Sequence, residues 1–262
     1  GGAFTSVGGQ GRRCLAAIDA STAGTTAWDP NASDRVEDLV VGGGRVYMCG
    51  AFTAIGGQFR NWLATVDATT GVPIPWNRNA DGIVTSLALG ENSVYAGGSF
   101  TLLGGQSRNR IGEVDLATGA ATSWNPSSDG PVLGLATSGS TVYASGDFNN
   151  IGGQARTGIA SLDPLSGTAT SWNADLTVQS GAKSVAFAEG TVYAWGAFTA
   201  VGSEARPGLA AISEDQNVSV NGDPRTLESV LLLGPNPTRG LLQIRYSVAQ
   251  AGRATLELLD VS

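Results

Sequence analysis

The 262-residue sequence contains no histidine and a single lysine. Without histidine the chain lacks the usual general base near neutral pH, the Ser/His/Asp and Cys/His nucleophile pairs, and every zinc or copper site that needs an imidazole ligand. The one lysine, Lys183, follows no GxxxxGK[ST] motif, which excludes a phosphate-binding P-loop. Any chemistry on this chain must therefore use carboxylates, Tyr, Lys or Arg.

Charge, cysteine and long apolar runs are also scarce. Only 14% of the residues are charged, and 15 Lys and Arg against 22 Asp and Glu give a net charge of −7. This balance repels a phosphate backbone, so we expect no nucleic-acid partner. The run from Val230 to Leu233 is far too short to span a membrane, so we expect no transmembrane segment. Cys14 and Cys49 allow one disulfide or two buried thiols.

Glycine and a repeat are what the sequence does contain. Its 38 glycines and 42% hydrophobic residues favour many short strands and turns over long helices. The phrase GxFTxxGGQxR recurs five times, with the fifth copy altered to GSE in its middle. The phenylalanines of the five copies are Phe4, Phe52, Phe100, Phe148 and Phe198, at intervals of 48, 48, 48 and 50 residues.

Other residue types keep the same register. An arginine follows each phenylalanine by eight residues, and in four copies an aspartate, a tryptophan and a tyrosine recur at fixed spacings. The arginines are Arg12, Arg60, Arg108, Arg156 and Arg206. The aspartates are Asp19, Asp67, Asp115 and Asp163, with Ser213 in the fifth place. The tryptophans are Trp28, Trp76, Trp124 and Trp172, and the tyrosines are Tyr47, Tyr95, Tyr143 and Tyr193.

Each period contains four strand signals, which we name A to D. In the third period alternation and bounding turns place A at 132–136, B at 141–148, C at 158–163 and D at 168–172. Tight glycine-containing turns join A to B, and DxxTG turns join C to D. Four antiparallel strands in each 48-residue repeat predict an all-β fold, a β-propeller of four-stranded blades.

The phase of the repeat sets the predicted domain organisation. Blade repeats start near residues 2, 50, 98, 146 and 196, so the propeller covers 1–213 and has about four and a half blades. We expect a fragment of a longer propeller, and the missing initiator Met and signal peptide agree with a processed product or a fragment. The alternative is a four-bladed ring closed by a composite blade from 5–28 and 183–188.

A polar stretch at 214–226 predicts a linker, and a separate unit follows at 227–262. This unit has a PNPTRG turn and alternating strands at 242–248 and 255–259, which predict half of a small β-sandwich.

Two resemblances add expectations about function. In its GGxFTxxGGQxRxxLAxxDxxTG pattern, the chain from Gly1 to about Ile212 resembles the bacterial delta-60 repeat proteins. That resemblance implies an extracellular propeller without an assigned reaction. Residues 227–262, with PNP before an alternating strand, look like the beginning of a type IX secretion system C-terminal sorting domain. The second resemblance implies export across the outer membrane, with the secretion machinery as a partner.

The repeated residues have a structural interpretation and a functional one. The DxxTG aspartates are placed to accept backbone N–H bonds across their turns, and the tryptophans to cover the space between blades. Each Arg/Asp pair is either a blade fastener, the favoured interpretation, or a clamp for carboxylates or sugars. The residues assigned a structural role are Asp19, Asp67, Asp115, Asp163, Trp28, Trp76, Trp124 and Trp172.

Ligand binding is predicted on the face that carries the B–C and D–A connections, because these are longer than the A–B and C–D turns. The candidate ligand-binding residues on this longer-loop face are Gln58, Arg60, Asp81, Gln106, Arg108, Asp129 and Lys183. No catalytic residue, metal ligand or cofactor is assigned. Departures from the repeat, including Lys183 and a D–A connection at 173–184 that is two residues longer, are places where a single site could arise.

We therefore expect a secreted or outer-membrane-surface propeller that acts as a binding, adhesion or scaffold module for an extracellular glycan or surface protein. This expectation rests on the class of fold. The alternative is the propeller domain of an extracellular enzyme. The DxxTG and Trp pattern also resembles quinoprotein dehydrogenases, although no vicinal cysteine pair is present. A carboxylate-dependent glycosidase needs only two acids, and no spacing selects a pair.

Overall fold

The computed structural model describes residues 1–76, 80–214, 244–248 and 254–258. Over these ranges the chain is all-β, and no helix is long and apolar enough to cross a membrane. The first strands are β1 (Ser6–Val7), β2 (Gln10–Gly11), β3 (Val36–Gly42), β4 (Arg45–Gly50), β5 (Ala54–Ile55), β6 (Gln58–Phe59), β7 (Leu63–Asp67), β8 (Ile83–Leu89), β9 (Ser93–Ser99), β10 (Leu102–Leu103), β11 (Gln106–Ser107) and β12 (Ile111–Asp115). The remaining strands are β13 (Val132–Thr137), β14 (Val142–Gly146), β15 (Asn150–Ile151), β16 (Gln154–Ala155), β17 (Ile159–Leu162), β18 (Leu176–Ala188), β19 (Thr191–Val201), β20 (Glu204–Ala205), β21 (Leu209–Ser213), β22 (Ile244–Val248) and β23 (Ala254–Leu258).

The long strands form one small antiparallel sheet per repeat. Each sheet has the order A-B-C, with strand B in the middle, and the GGQ loop of each repeat forms a two-residue hairpin arm beyond it. We number the blades I (1–28, partial), II (36–76), III (83–124), IV (132–172) and V (176–213). Their sheets are β3-β4-β7 in blade II, β8-β9-β12 in blade III, β13-β14-β17 in blade IV and β18-β19-β21 in blade V.

Strand D, predicted at 168–172, is reduced to one bridge between Leu162 and Ala169. Next to this bridge, Nη2 of Arg156 donates to the carbonyl oxygen of Thr170 at 2.6 Å. Blades I, II and III have the same single bridge and the same arginine-to-carbonyl bond, so in blades I to IV the fourth strand is a single-bridge arm.

The sheets pack side by side as the blades of a β-propeller. Strand A of each blade contacts strand A of the next, β3 with β8, β8 with β13, and β13 with β18. The core lies between blades, because every buried apolar cluster joins residues of two successive repeats. The all-β propeller predicted from the 48-residue repeat is confirmed.

Blade V absorbs the two extra residues of its repeat inside strand A. The predicted D–A connection at 173–184 is largely strand, since β18 begins at Leu176 and shifts register against β19 at four places. Residues 184–188 pair with Trp195 to Thr191 of the same blade. The alternative in which 183–188 completes a composite blade with 5–28 is therefore wrong.

The predicted linker, 214–226, lies outside the described residues except for Glu214. After it, β22 and β23 form an antiparallel pair, and their bounds differ by at most two residues from those of the predicted strands at 242–248 and 255–259.

Candidate functional site

The DxxTG aspartates are used inside their own turns. Oδ1 of Asp67 accepts hydrogen bonds from the N–H of Thr69 at 3.0 Å, the N–H of Thr70 at 2.7 Å and the hydroxyl of Thr70 at 2.9 Å. These bonds, led by the Thr70 N–H, hold the pKa of Asp67 below its ordinary value. The same geometry lowers the pKa of Asp115 and Asp163 and, led by the Ser21 hydroxyl, brings that of Asp19 to about 2.

The repeated tryptophans bridge successive blades. Nε1 of Trp124 donates to the backbone oxygen of Asp163 in the next blade at 2.9 Å. Its ring packs edge-on against Tyr95, with centroids 4.8 Å apart. The rings of this pair are buried, so they offer no stacking surface to a ligand. The equivalent bonds run from Trp28 to Asp67, from Trp76 to Asp115 and from Trp172 to Ser213.

The predicted arginine clamps bind carbonyl oxygens of their own blades. Arg60 is buried and donates to the oxygens of Phe59 at 2.7 Å and Ile74 at 3.3 Å, and to Oε1 of Gln58 at 3.1 Å. Arg108 likewise donates to the carbonyl oxygens of Ser107 and Thr122. The structure thus places both guanidinium groups against the C–D arm, while Gln58 and Gln106 are exposed on the hairpin arm.

The predicted aspartates of the longer-loop face connect two loops of one repeat. Asp81 accepts the N–H groups of Thr101 and Leu102 at 2.7 and 2.8 Å, and the Thr101 hydroxyl at 2.6 Å. Partial burial would raise the pKa of Asp81, but these three bonds outweigh it and the pKa is lowered. Asp129 makes the corresponding bonds to Asn149 and Asn150.

Lys183 lies exposed on the inner strand of blade V. Its Nζ is 3.5 Å from Oδ2 of Asp147. Both side chains are well exposed, so the pair contributes little to stability. The structure places Lys183 at a register shift of β18, between Ala182 and Ser184.

A cavity of about 440 Å³ opens on the longer-loop face between blades III and IV. Its lining residues are Asp81, Ser99, Phe100, Thr101, Arg110 and Pro131. Of the seven predicted ligand-binding residues, all within the described ranges, Asp81 alone lines this cavity. The cavity therefore brings together a carboxylate, a guanidinium and two hydroxyls over a buried phenylalanine.

Sequence reasoning missed Arg110, which stands two residues after the repeat arginine. The backbone there is left-handed in every copy, and Arg110 has a φ of 64° where Gly158 has 74° and Gly208 has 81°. Cys14 and Trp62 occupy the other two copies. The sequence signal that could have found the site is an arginine at a position where two other repeats have glycine. The repeat keeps the backbone conformation there, while the side chain differs from copy to copy. Nη1 of Arg110 donates to the Ser128 carbonyl oxygen at 2.8 Å.

A second cavity, of about 630 Å³, opens on the opposite face, which carries the tight A–B and C–D turns. It also lies between blades III and IV. Loop length predicted binding on the other face. The larger of the two cavities therefore lies on the face where no site was predicted.

Cys14 and Cys49 are both buried and unpaired, which matches the two-thiol alternative. Within the described part of the chain, no group of three or more cysteines, aspartates and glutamates is placed to hold a metal ion.

This chain is similar to a number of solved structures, among them the following three. The computationally designed Ika8 protein matches with 19% identity over 71% of this chain and 48% of its own length, at a TM-score of 0.44. The computationally designed Ika4 protein matches with 18% identity over 69% and 93%, at 0.44. The Neurospora crassa Pan2 WD40 domain matches with 14% identity over 69% and 49%, at 0.46. The chain thus spans about half the length of the Ika8 and Pan2 chains. No family model and no curated protein matches the sequence.

Proposed function

We propose that this chain is the propeller module of a secreted or cell-surface protein, and that it binds an extracellular glycan through the longer-loop face. The observation that carries the proposal is the cavity between blades III and IV, where Asp81 and Arg110 face one space of about 440 Å³. A concave site with a few convergent polar groups is the usual form of a small-ligand site.

The chemistry of the lining favours an acidic sugar. Arg110 has guanidinium N–H groups beyond the one bound to Ser128, and a planar guanidinium matches a carboxylate bidentately. A carboxylate offers about four acceptor positions, and Asp81 uses three, which leaves one on Oδ2 for a sugar hydroxyl. The exposed hydroxyl of Ser99 adds a donor and an acceptor, and that of Thr101, whose proton is bound to Asp81, adds an acceptor. The proposed role is binding, adhesion or scaffolding, with no catalytic step.

The test is a glycan array followed by calorimetry, using the wild type and Arg110→Gly. Glycine occupies the same left-handed position in blades IV and V, so this change removes the guanidinium while easing the backbone. We expect at least about a tenfold loss of affinity for carboxylated glycans, the scale of one charge-assisted hydrogen bond. The matched control is Gln106→Ala on the exposed hairpin arm, which should change affinity little.

Binding of carboxylated glycans that is equal in wild type and Arg110→Gly would contradict the proposed site. Loss with Gln106→Ala and retention with Arg110→Gly would instead favour the hairpin arms, where the sequence placed Gln58 and Gln106. If no glycan on the array binds, and the chain instead captures a surface protein in a manner that Arg110→Gly abolishes, the ligand of this site is a protein and not a glycan.

We further propose that the full protein reaches the cell exterior through a type IX-like system. The support is the resemblance of residues 227–262 to a sorting domain and that of the repeats to delta-60 proteins. Fusing the C-terminal unit of the full-length protein to a reporter, in a host with type IX secretion, tests this. We expect the reporter at the surface or in the medium, and a reporter retained in the periplasm would contradict the proposal.

A further inference from the structure

The tight-turn face carries the larger cavity, and its walls are formed by blades III and IV. The A–B turn of blade III contributes residues 90–93, and the A–B region of blade IV contributes Thr137, Gly139 and Thr141. Pro164 and Leu165, from the C–D turn of blade IV, complete the wall. The cavity therefore lies at the boundary between two successive repeats.

One side chain makes this boundary different from the others. Glu113 occupies the position two residues before the DxxTG aspartate, where the other repeats have uncharged residues. Oε1 of Glu113 accepts the hydroxyl of Ser93 at 2.5 Å, and Oε2 accepts the hydroxyl of Thr122. The residues at this position in the other repeats are Ala17, Thr65, Ser161 and Ala211.

The charge in the cavity is uncompensated. Glu91, Glu113 and Asp115 all line it, whereas no lysine or arginine is among its described lining residues. No ion pair joins Glu113 to a basic residue in the described part of the chain. Burial and the neighbouring Glu113 raise the pKa of Tyr95 to about 12, so its hydroxyl stays protonated and adds no further negative charge.

The rest of the wall is apolar. Leu89 and Val142 line the cavity, and Leu165 stands at it with 88% of its surface exposed. An occupant must therefore match one partly buried carboxylate and, beside it, a hydrocarbon surface. A cationic head on an aliphatic stem has both properties.

We infer that this cavity binds an ammonium group carried on an aliphatic stem, with Glu113 as its counter-ion. Metal binding is the weaker interpretation, because the described residues place no group of three metal-ligating side chains together. A free diamine and a lysine side chain of a partner protein share the required chemistry. The net charge of −7 favours the approach of either.

The experiment is calorimetric titration of the full chain with 1,5-diaminopentane at low ionic strength, because salt screens such contacts. A lysine-containing peptide is titrated in parallel, and N,N′-diacetyl-1,5-diaminopentane serves as the uncharged probe. We expect the diamine to bind and the diacetylated probe not to bind. Glu113→Gln, which keeps the shape and removes the charge, should weaken diamine binding at least about tenfold.

Glu189→Gln is the matched control, because it changes the net charge equally at an exposed A–B turn residue of blade V, which is not among the lining residues of this cavity. It should weaken diamine binding less than about threefold. If Glu113→Gln folds poorly, Glu113→Thr, which restores the Thr65 pattern of blade II, replaces it with the same expected loss. Tighter binding of the peptide than of the diamine identifies a protein partner, and the reverse identifies a free amine.

Equal weakening by Glu189→Gln and Glu113→Gln would overturn the inference, because it would show a response to net charge alone. Equal binding of the diamine and its diacetylated form, or no binding of the diamine and the peptide, would also overturn it. Arg110→Gly separates this site from the proposed glycan site. It should leave diamine binding unchanged even where glycan binding is lost or was never present.

Discussion

At the scale of single residues, the repeat is largely a set of solutions for backbone hydrogen bonds. The aspartates were predictable because DxxTG places a carboxylate two and three residues before free N–H groups. The partner of the arginine was not predictable, since Arg60 reaches Ile74 only after the C–D arm has folded back. Arg110 was missed for the related reason that a repeat pattern records what the copies share.

Asp67→Ala should lower the melting temperature, because the N–H groups of Thr69 and Thr70 lose their acceptor. Asp67→Asn should lose less, since an amide oxygen can still accept. The control is Glu91→Ala at an exposed position, and its melting temperature should equal that of the wild type. Unchanged stability of Asp67→Ala with loss of ligand affinity would instead assign this carboxylate to a binding site.

Arg60→Ala should destabilise the chain by about 1–3 kcal/mol, because two carbonyl oxygens lose a partner in a buried setting. Urea denaturation measures the change. Arg60→Lys should recover part of the loss, because an ammonium group can reach one carbonyl but lacks the fork. If Arg60→Ala were as stable as the wild type, the structural role of Arg60 would be contradicted, and the interpretation of Arg60 as a clamp for carboxylates or sugars would be favoured.

At the scale of elements, strands A to C could be read from sequence alternation and bounding turns, although in blades II to IV strand B is buried along nearly its whole length, whereas strand A mixes buried and less buried positions. Strand D could not be delimited in this way, since it pairs with strand C at a single bridge and an arginine side chain from elsewhere in the repeat binds the Thr170 carbonyl oxygen beside it. The bulge in strand A was also invisible, although β3, β8, β13 and β18 all shift register near their starts. Asp38, at the shift in β3, accepts the N–H of Leu87 from the neighbouring inner strand, a contact that exists only once the blades are assembled.

Trp124→Phe tests the contact between blades. The phenylalanine ring fills most of the space of the indole, but the buried hydrogen bond to the Asp163 carbonyl oxygen is lost. The free energy of unfolding, measured by urea denaturation, should fall by about 1–3 kcal/mol. Trp28→Phe is the comparison, because Trp28 is less buried and should lose less. Equal and negligible losses at both positions would show that the tryptophans do not hold the blades together.

At the scale of the whole molecule, stability should fall on acidification. The pKa is lowered in the fold for Asp19, Asp67, Asp81, Asp115, Asp129 and Asp163. For these groups the unfolded chain binds protons first, so their contribution is present above about pH 4 and is lost towards about pH 2. Urea denaturation across this range should show the fall, and a flat profile would contradict it.

Asp38 should oppose this trend. Burial raises its pKa despite the bonds from Leu87, Leu39 and Ser86, so its contribution falls as the pH rises above its ordinary value of 3.8. Asp38→Asn should remove that component. Relative to the variant, the wild type should therefore lose stability as the pH rises, and a parallel pair of pH profiles would contradict this.

The propeller itself could be predicted from the 48-residue period, whereas the two cavities could not. Both lie between blades III and IV, where side chains unique to one repeat meet the next blade. Such positions are visible only when the blades are in place.

The central claim is that the longer-loop face between blades III and IV binds a carboxylated glycan. Hydrogen–deuterium exchange of the chain with and without the tightest carboxylated glycan of the array tests it most directly. Added protection is expected at residues 99–110 and 128–131, with residues 90–93 unchanged. Protection confined to residues 90–93 and 137–141 would place the glycan on the opposite face and contradict the claim.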